Sequence, residues 1–234
     1  MKNSGFGGTR LFFLVTIALL PRVNASAQLP AGSAGGMNAA LILLFGENTS
    51  FTSQVEARVT DPAHNESLRM PMNFAALDSK VRVEIDVAQI QSPNLSAQQV
   101  TEMKNAGLGR IISIIRPDKK VSYILYPGVQ SYVVVPMPKE EAEVLASHLK
   151  INKTVLGKET MDGHPCLKHH ITVTNGERTV LDAVTWNASD LKDFPVQIET
   201  KDKTNTSTLH FRQIQFARPE AKLFEIPERY RQNG

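Results

Sequence analysis

Short segments that alternate apolar and polar residues, separated by turn residues, fill most of the chain after Phe51. The segment KVRVEIDVAQI at 80–90 is the clearest, and its apolar side is Val81, Val83, Ile85 and Val87. Alternation with a period of two is typical of β-strands. Later segments are interrupted by Asp162-Gly163 and Asn175-Gly176, pairs that favour tight hairpins. Consecutive hairpins predict an antiparallel sheet, here of about ten strands.

Helical patterns occur in only three segments, which are 38–45, 96–106 and 138–150. Ser96 is a favourable N-cap for the second of them. A single sheet of about ten twisted strands curls. We therefore predict an α+β fold in which a strongly curved antiparallel sheet, a half-barrel, carries a few helices on its concave face.

The first 27 residues have the pattern of a secretory signal peptide. Lys2 and Arg10 precede the apolar run Leu11–Leu20, and Ala25-Ser26-Ala27 supplies the small residues of a cleavage site. A membrane anchor is disfavoured, because about 20 apolar residues are needed to cross a bilayer. We expect cleavage near Gln28 and a periplasmic or secreted protein that does not span the membrane. No cysteine follows the apolar run for lipid attachment.

Cleavage also changes the charge of the chain. Residues 1–27 contain three of the 26 Lys and Arg, so the mature chain keeps 23, equal to its 23 Asp and Glu. A neutral chain argues against nucleic acid as a partner. After cleavage, 28–36 (QLPAGSAGG) is predicted to be a flexible leader, and 37–234 is long enough for a single domain with its own core.

The sequence shows no recognisable catalytic motif, so we predict a non-enzymatic protein. The densest polar cluster is HPCLKHH, in which His164, Cys166 and His170 share one side of a strand with Lys168. Their spacing lacks a usual zinc-ligand pattern, so we predict no metal site and no other cofactor. Cys166 has no activating neighbour and is predicted to be structural.

The segment 116–136, RPDKKVSYILYPGVQSYVVVP, predicts a hairpin that is apolar or aromatic on both sides. Apolar surface that stays open either binds something or drives aggregation. We expect the three strands at 110–116, 120–126 and 130–135 to form the middle of the sheet, with one side facing its hollow. The predicted cavity residues are Val83, Ile85, Val121, Tyr123, Leu125 and Trp186. For Trp186, a buried aromatic at a strand end is favoured, and a ring at the mouth of the cavity is the alternative.

The order of these elements resembles the LolA/LolB-like superfamily of bacterial outer-membrane lipoprotein carriers, and especially its uncharacterised extracytoplasmic relatives. The segments that carry the resemblance are ALILLFGENTSFTSQVEARV, KVRVEIDV, IISIIRPDKKVSYILYPGVQSYVVVP, LGKETMDGHPCLKHHITVT, VTWNASDLKDFPVQIET and LFEIPERY. They cover nearly the whole mature chain. The resemblance implies a strongly curved antiparallel sheet with helices as a lid over a hydrophobic cavity. In the carriers, that cavity receives the acyl chains of lipoproteins.

The carriers also use an arginine of the cavity to hold their closed state. The nearest candidates here are Arg82 and Arg116, and the pattern assigns neither to that role. Taken together, these observations predict a non-enzymatic protein that binds a lipid, an acyl chain or another apolar ligand. The alternative is a scaffold or sensory module of the cell envelope that binds a protein partner.

Six Asn-x-Ser/Thr sequons leave a further question open. They are Asn48, Asn65, Asn94, Asn152, Asn187 and Asn205. Such sequons are glycosylation acceptors only in a secretory pathway that attaches glycans. In a chain rich in Asn, Ser and Thr, they also arise by chance.

Overall fold

The computed structural model describes residues 37–233, so the predicted signal peptide and leader lie outside the described residues. The three helices are α1 (Met37–Leu44), α2 (Ala97–Asn105) and α3 (Lys139–Ala146). The first six strands are β1 (Ser50–Thr60), β2 (Glu66–Leu77), β3 (Lys80–Asp86), β4 (Arg110–Arg116), β5 (Val121–Tyr126) and β6 (Ser131–Pro136). The others are β7 (Lys150–Met161), β8 (His164–Asn175), β9 (Arg178–Ala188), β10 (Phe194–Lys201), β11 (Thr206–Gln215) and β12 (Arg231–Gln232).

All twelve strands belong to one sheet, in the order β12-β6-β5-β4-β3-β2-β1-β11-β10-β9-β8-β7. Every pair is antiparallel except β12, which runs parallel to β6. The prediction of an α+β fold built on one curved antiparallel sheet is therefore confirmed, with twelve strands where about ten were expected.

The expectation that the strands at 110–116, 120–126 and 130–135 form the middle of the sheet is wrong. They are β4, β5 and β6, and β6 is separated from one edge only by the two-residue β12. The centre is instead β2, β1 and β11, because β11 returns across the molecule to pair with β1 along most of its length. A pairing between strands so far apart in sequence leaves no local signal.

The connection from β6 to β7 requires the sheet to be curved. These two strands are ten positions apart in the sheet, which is about 48 Å in a flat sheet with strands about 4.8 Å apart. The connection contains α3, which rises about 10 Å, and about seven further peptide steps that reach about 24 Å when extended. Because about 35 Å cannot cross a flat sheet of this width, the two edges must bend towards each other.

The two faces of the sheet have different covers. We call the face that carries Val81, Val83 and Ile85 the helix face, because α1, α2 and α3 all pack on it. The other face is called the opposite face. Its apolar part on β4 to β6 is covered by the C-terminal segment 221–232, in which Phe224 is fully buried and Tyr230 packs beside it. The hairpin therefore has two apolar faces because each has its own cover within the chain.

Candidate functional site: the helix face and its cover

The helix face is lined with apolar side chains across the centre of the sheet. Val83 and Ile85 of β3 are 7% and 1% exposed, and they lie beside Phe74 and Met72 of β2. The same layer continues onto β4 through Ile111. It is the largest apolar surface in the described part of the chain, and the helices separate it from solvent.

Helix α1 and the residue after it anchor the cover to the sheet through aromatic contacts. The ring of Phe45 lies 5.0 to 5.9 Å from four other phenyl rings, those of Phe51, Phe74, Phe194 and Phe211. Edge-to-face and offset ring pairs of this kind add stability beyond the burial of their area. The chain enters the sheet at this cluster, whose rings belong to β1, β2, β10 and β11, whereas α1 itself contacts β9.

The other two helices cover further parts of the helix face. Helix α2 begins with Ser96 as its N-cap, as the sequence predicts, and Gln99 completes a capping box. Its Val100 and Met103 pack on the part of the helix face near β4 to β6. Helix α3 crosses from one sheet edge to the other, contacts α1 and inserts Val144 into the main apolar cluster.

The contacts that hold α1 and α3 against the sheet are apolar wherever the structure describes the side chains. No hydrogen bond or ion pair joins those side chains to a strand. Hydrophobic contacts are non-directional and roughly proportional to buried area. An apolar group that replaces the contacts of such a cover does not leave polar groups unpaired.

One acidic residue is buried within this apolar cover. Glu141 of α3 is 6% exposed, and no described side chain or backbone group forms a hydrogen bond or ion pair with it. It lies three residues before Val144, so the two side chains share one face of the helix. Burial raises the pKa of Glu141 to about 7, because the charged carboxylate loses part of its water.

The register divides the predicted cavity residues between the two faces. Val83 and Ile85 lie on the helix face, as expected. The expectation that the hairpin residues face the same hollow is wrong, since Val121, Tyr123 and Leu125 pair with Arg116, Ile114 and Ile112 on the opposite face. There Tyr123 and Leu125 belong to the apolar cluster that the C-terminal segment covers. An error of this kind arises because a hairpin that is apolar on both sides gives no sign of which side faces the core.

Trp186 also lies on the opposite face, where it pairs with Lys168 of β8 and Gln197 of β10. It is 6% exposed, and its indole N–H donates a hydrogen bond of 2.6 Å to Glu159 Oε2. The ammonium group of Lys168 stands 4.6 Å from the indole ring. This arrangement is a buried aromatic with a partnered N–H, the interpretation that the sequence favours, and Trp186 belongs to the main apolar cluster.

Arg82 and Arg116 bind the C-terminal segment on the opposite face, and not the cover of the helix face. Arg116 is 4% exposed, binds Asp118 through two nitrogens, and donates to Glu225 at 2.8 Å and to the Phe224 carbonyl at 3.0 Å. Arg82 donates to the Leu223 carbonyl at 3.0 Å. Both arginines stand out in the sequence, but each is far along the chain from its partner in the C-terminal segment, so the sequence does not show this role.

The opposite face also carries a polar groove of about 990 Å³. Side chains from β1, β2, β3 and β11 line it, including Gln54, Glu56, Asn73, Glu84 and Arg212. One end is closed by two turns that touch through Gly107 and Gly128, where a Cβ on Gly128 would lie 2.3 Å from the Gly107 oxygen. Because charged and amide side chains are mixed with the apolar ones in its lining, this groove is not the apolar hollow that the sequence predicts.

The HPCLKHH cluster is dispersed among separate partners. His164 lies 2.8 Å from Asp190, and His170 lies 2.9 Å from Asp182. Cys166 is a buried free thiol whose pKa burial raises, which opposes formation of a reactive thiolate. In residues 37–233, no group of three His, Cys, Asp or Glu side chains is arranged to hold a metal ion.

Comparisons with known proteins find similarity only among solved structures. No family model and no curated protein matches the sequence. A LolA superfamily protein from Nitrosomonas europaea matches 78% of this chain and 93% of its own, at 13% identity and a TM-score of 0.39. Lipoprotein LppX from Mycobacterium tuberculosis matches 76% and 94%, also at 13% identity and a TM-score of 0.39.

The MucA/MucB complex of Pseudomonas aeruginosa matches 82% of this chain and 62% of its own, at 10% identity and a TM-score of 0.39. The predicted resemblance is thus confirmed to the extent that LolA superfamily structures are among those similar to this chain. TM-scores below 0.5 do not by themselves establish a shared fold. Within the described residues, no helix combines the length and apolar character needed to cross a bilayer.

Proposed function

We propose that this chain is a non-enzymatic extracytoplasmic binding protein that holds a lipid, an acyl chain or another apolar ligand. The ligand lies between the helix face and its cover of α1 and α3. The observation that carries this proposal is the cover itself. It shields the largest apolar surface of the sheet, yet among the described side chains it is held there by apolar contacts alone.

The shape of the connection supports the same proposal. Helix α3 has only eight residues and belongs to a crossover that joins opposite edges of the sheet. Such a crossover can lift from the sheet while both of its ends remain fixed in β6 and β7. Apolar ligand contacts then replace the helix contacts, so the cost of opening is largely offset. Val83 and Ile85 are the predicted contact residues of the sheet.

Two further parts of the proposal rest on sequence. The signal-peptide pattern of residues 1–27 supports a periplasmic or secreted location. The absence of a recognisable catalytic motif supports a binding role over catalysis. A protein partner in the envelope is the alternative, and the polar groove on the opposite face is the concave surface available to it.

Binding of diphenylhexatriene, an uncharged apolar fluorophore, tests the ligand site. A matched pair of substitutions separates the two faces, since Val83→Phe fills the helix face and Val121→Phe makes the same change on the opposite face. We expect Val83→Phe to weaken probe binding about tenfold or more, equivalent to about 1.4 kcal/mol. Val121→Phe should leave it unchanged.

Far- and near-UV circular dichroism serves as the folding control for both variants. Overpacking a core position costs about 1 to 3 kcal/mol, which a domain of this size tolerates when its stability is ordinary. The proposal fails when the natively folded protein does not bind the probe. It also fails when Val121→Phe weakens binding and Val83→Phe does not.

A further inference from the structure

We propose that Glu141 is the polar anchor of the ligand site, and that the ligand is a single-chain amphiphile whose polar end is an ammonium group. This inference rests on the proposed function, since it concerns the ligand of the same site. It adds the chemistry of the head group and the residue that recognises it. Nothing else in the proposed function requires a charged residue in the cover.

Glu141 is an acidic residue on the buried, apolar side of α3. The side chain is 6% exposed and shares a helix face with Val144, which is inserted into the main apolar cluster. Glu143, two residues along the same helix, is exposed to solvent. A carboxyl group on the buried side of an amphipathic helix is costly, because transfer of a charge out of water is opposed unless a partner compensates it.

The described surroundings of Glu141 do not supply a partner for its charge. Among the described groups, none accepts or donates a hydrogen bond to it, and none forms an ion pair with it. Helix α1, which packs against α3, has no titratable residue in its sequence MNAALILL. On the strands of the helix face, the register places five basic residues, which are Lys153 and Lys158 of β7, His169 of β8, Arg178 of β9 and Arg231 of β12. Lys153 is already paired with Asp193 at 3.0 Å.

The chemistry of the missing partner then identifies the ligand. An ammonium group supplies hydrogen-bond donors and the opposite charge, and charge-assisted hydrogen bonds are roughly twice as strong as neutral ones. The apolar chain of the same molecule would replace contacts between α3 and the helix face. An anionic head group would instead place two negative charges together in a site of low polarity, which is strongly unfavourable.

Displacement of bound diphenylhexatriene at pH 8 tests the inference. Dodecylamine and dodecyl sulfate have the same alkyl chain and opposite charges, and each is added below its micelle concentration. For the natural protein, we expect dodecylamine to displace the probe at a concentration about tenfold lower than dodecyl sulfate. Glu141→Gln, which keeps the shape of the side chain, should remove this preference, whereas the matched control Glu143→Gln should retain it.

The outcomes separate this inference from the function on which it rests. Failure of the probe to bind the folded natural protein overturns the proposed function. Normal probe binding with equal displacement by the two amphiphiles overturns the role of Glu141 alone, as does a preference that persists in Glu141→Gln. A second variant, Glu141→Leu, guards against a folding artefact, since it should keep probe binding and lose the preference.

Discussion

At the scale of single residues, Arg116 is the most heavily connected side chain of the sheet. It binds Asp118, Glu225 and the carbonyl of Phe224 while almost wholly buried. Replacement by methionine keeps the length of the side chain but leaves the carbonyl and Asp118 without their partner, and it leaves Glu225 only Lys119 at 3.7 Å. We expect Arg116→Met to lower the free energy of unfolding by about 2 to 4 kcal/mol, measured by urea denaturation.

An exposed arginine provides the control for this prediction. Arg218 pairs with Asp78 at 3.1 Å, and both side chains are more than half exposed. Exposed pairs contribute between about 0 and 1 kcal/mol, so Arg218→Met should change stability little. Equal losses in the two variants would contradict the role assigned to Arg116.

Two of the six sequons are buried, which answers part of the question that the sequence left open. Asn187 is 2% exposed and donates to the Asp193 carbonyl at 2.8 Å, and Asn48 is 8% exposed and donates to the carbonyls of Phe45 and Lys192. A glycan on either amide nitrogen would displace these bonds and find no space. Asn65, Asn94 and Asn152 are exposed.

Expression in a glycosylating secretory pathway tests whether the two buried sequons stay unmodified. Glycopeptide mass spectrometry of the secreted protein should find Asn48 and Asn187 unmodified in every molecule with native circular dichroism. Exposed sequons can carry glycans without affecting the fold. Natively folded protein with a glycan on Asn187 would show that the packing around this residue is described wrongly.

At the scale of elements, α3 should make stability depend on pH. The pKa of Glu141 is about 7 in the folded chain and has its ordinary value of 4.5 in the unfolded chain. Between these values the folded state holds a proton that the unfolded state has lost, so stability falls as pH rises from about 4.5 to about 7 and then levels off. Urea denaturation at pH 5 and pH 8 should show this loss for the natural protein.

The variant Glu141→Gln removes the titrating group and should reduce that loss. The change from pH 5 to pH 8 should therefore be smaller in Glu141→Gln than in the natural protein, whereas Glu143→Gln should behave like the natural protein. An identical pH dependence in all three proteins would mean that Glu141 is not buried as described.

The elements themselves were largely predictable from the sequence, because their signals are local. Alternation along β3, the capping residue Ser96 and the pair Asp162-Gly163 each act within a few residues, and each marks the element it predicts. The face and the neighbours of each strand were not predictable in the same way. The pairing of β1 with β11 joins distant segments, and it moved the hairpin of β5 and β6 from the expected centre towards an edge.

At the scale of the whole molecule, the two covers explain why a hairpin with two apolar faces exists in a neutral chain. The C-terminal segment is tied to the opposite face by hydrogen bonds from Arg82 and Arg116. Helices α1 and α3 rest on the helix face without such ties among the described side chains. The site could therefore be placed only once the register was known, because the difference between the covers lies in contacts between distant residues.

The central claim is that an apolar chain binds beneath α1 and α3, and photoaffinity labelling with a diazirine-bearing fatty acid tests it most directly. Cross-linked residues are mapped by mass spectrometry, with unlabelled fatty acid as competitor. The account predicts competable labels on α1, on α3 and on helix-face residues such as Met72 and Val83. Competable labels confined to the opposite face, at Val121, Tyr123 or Trp186, would contradict it, as would the absence of any label that the competitor removes.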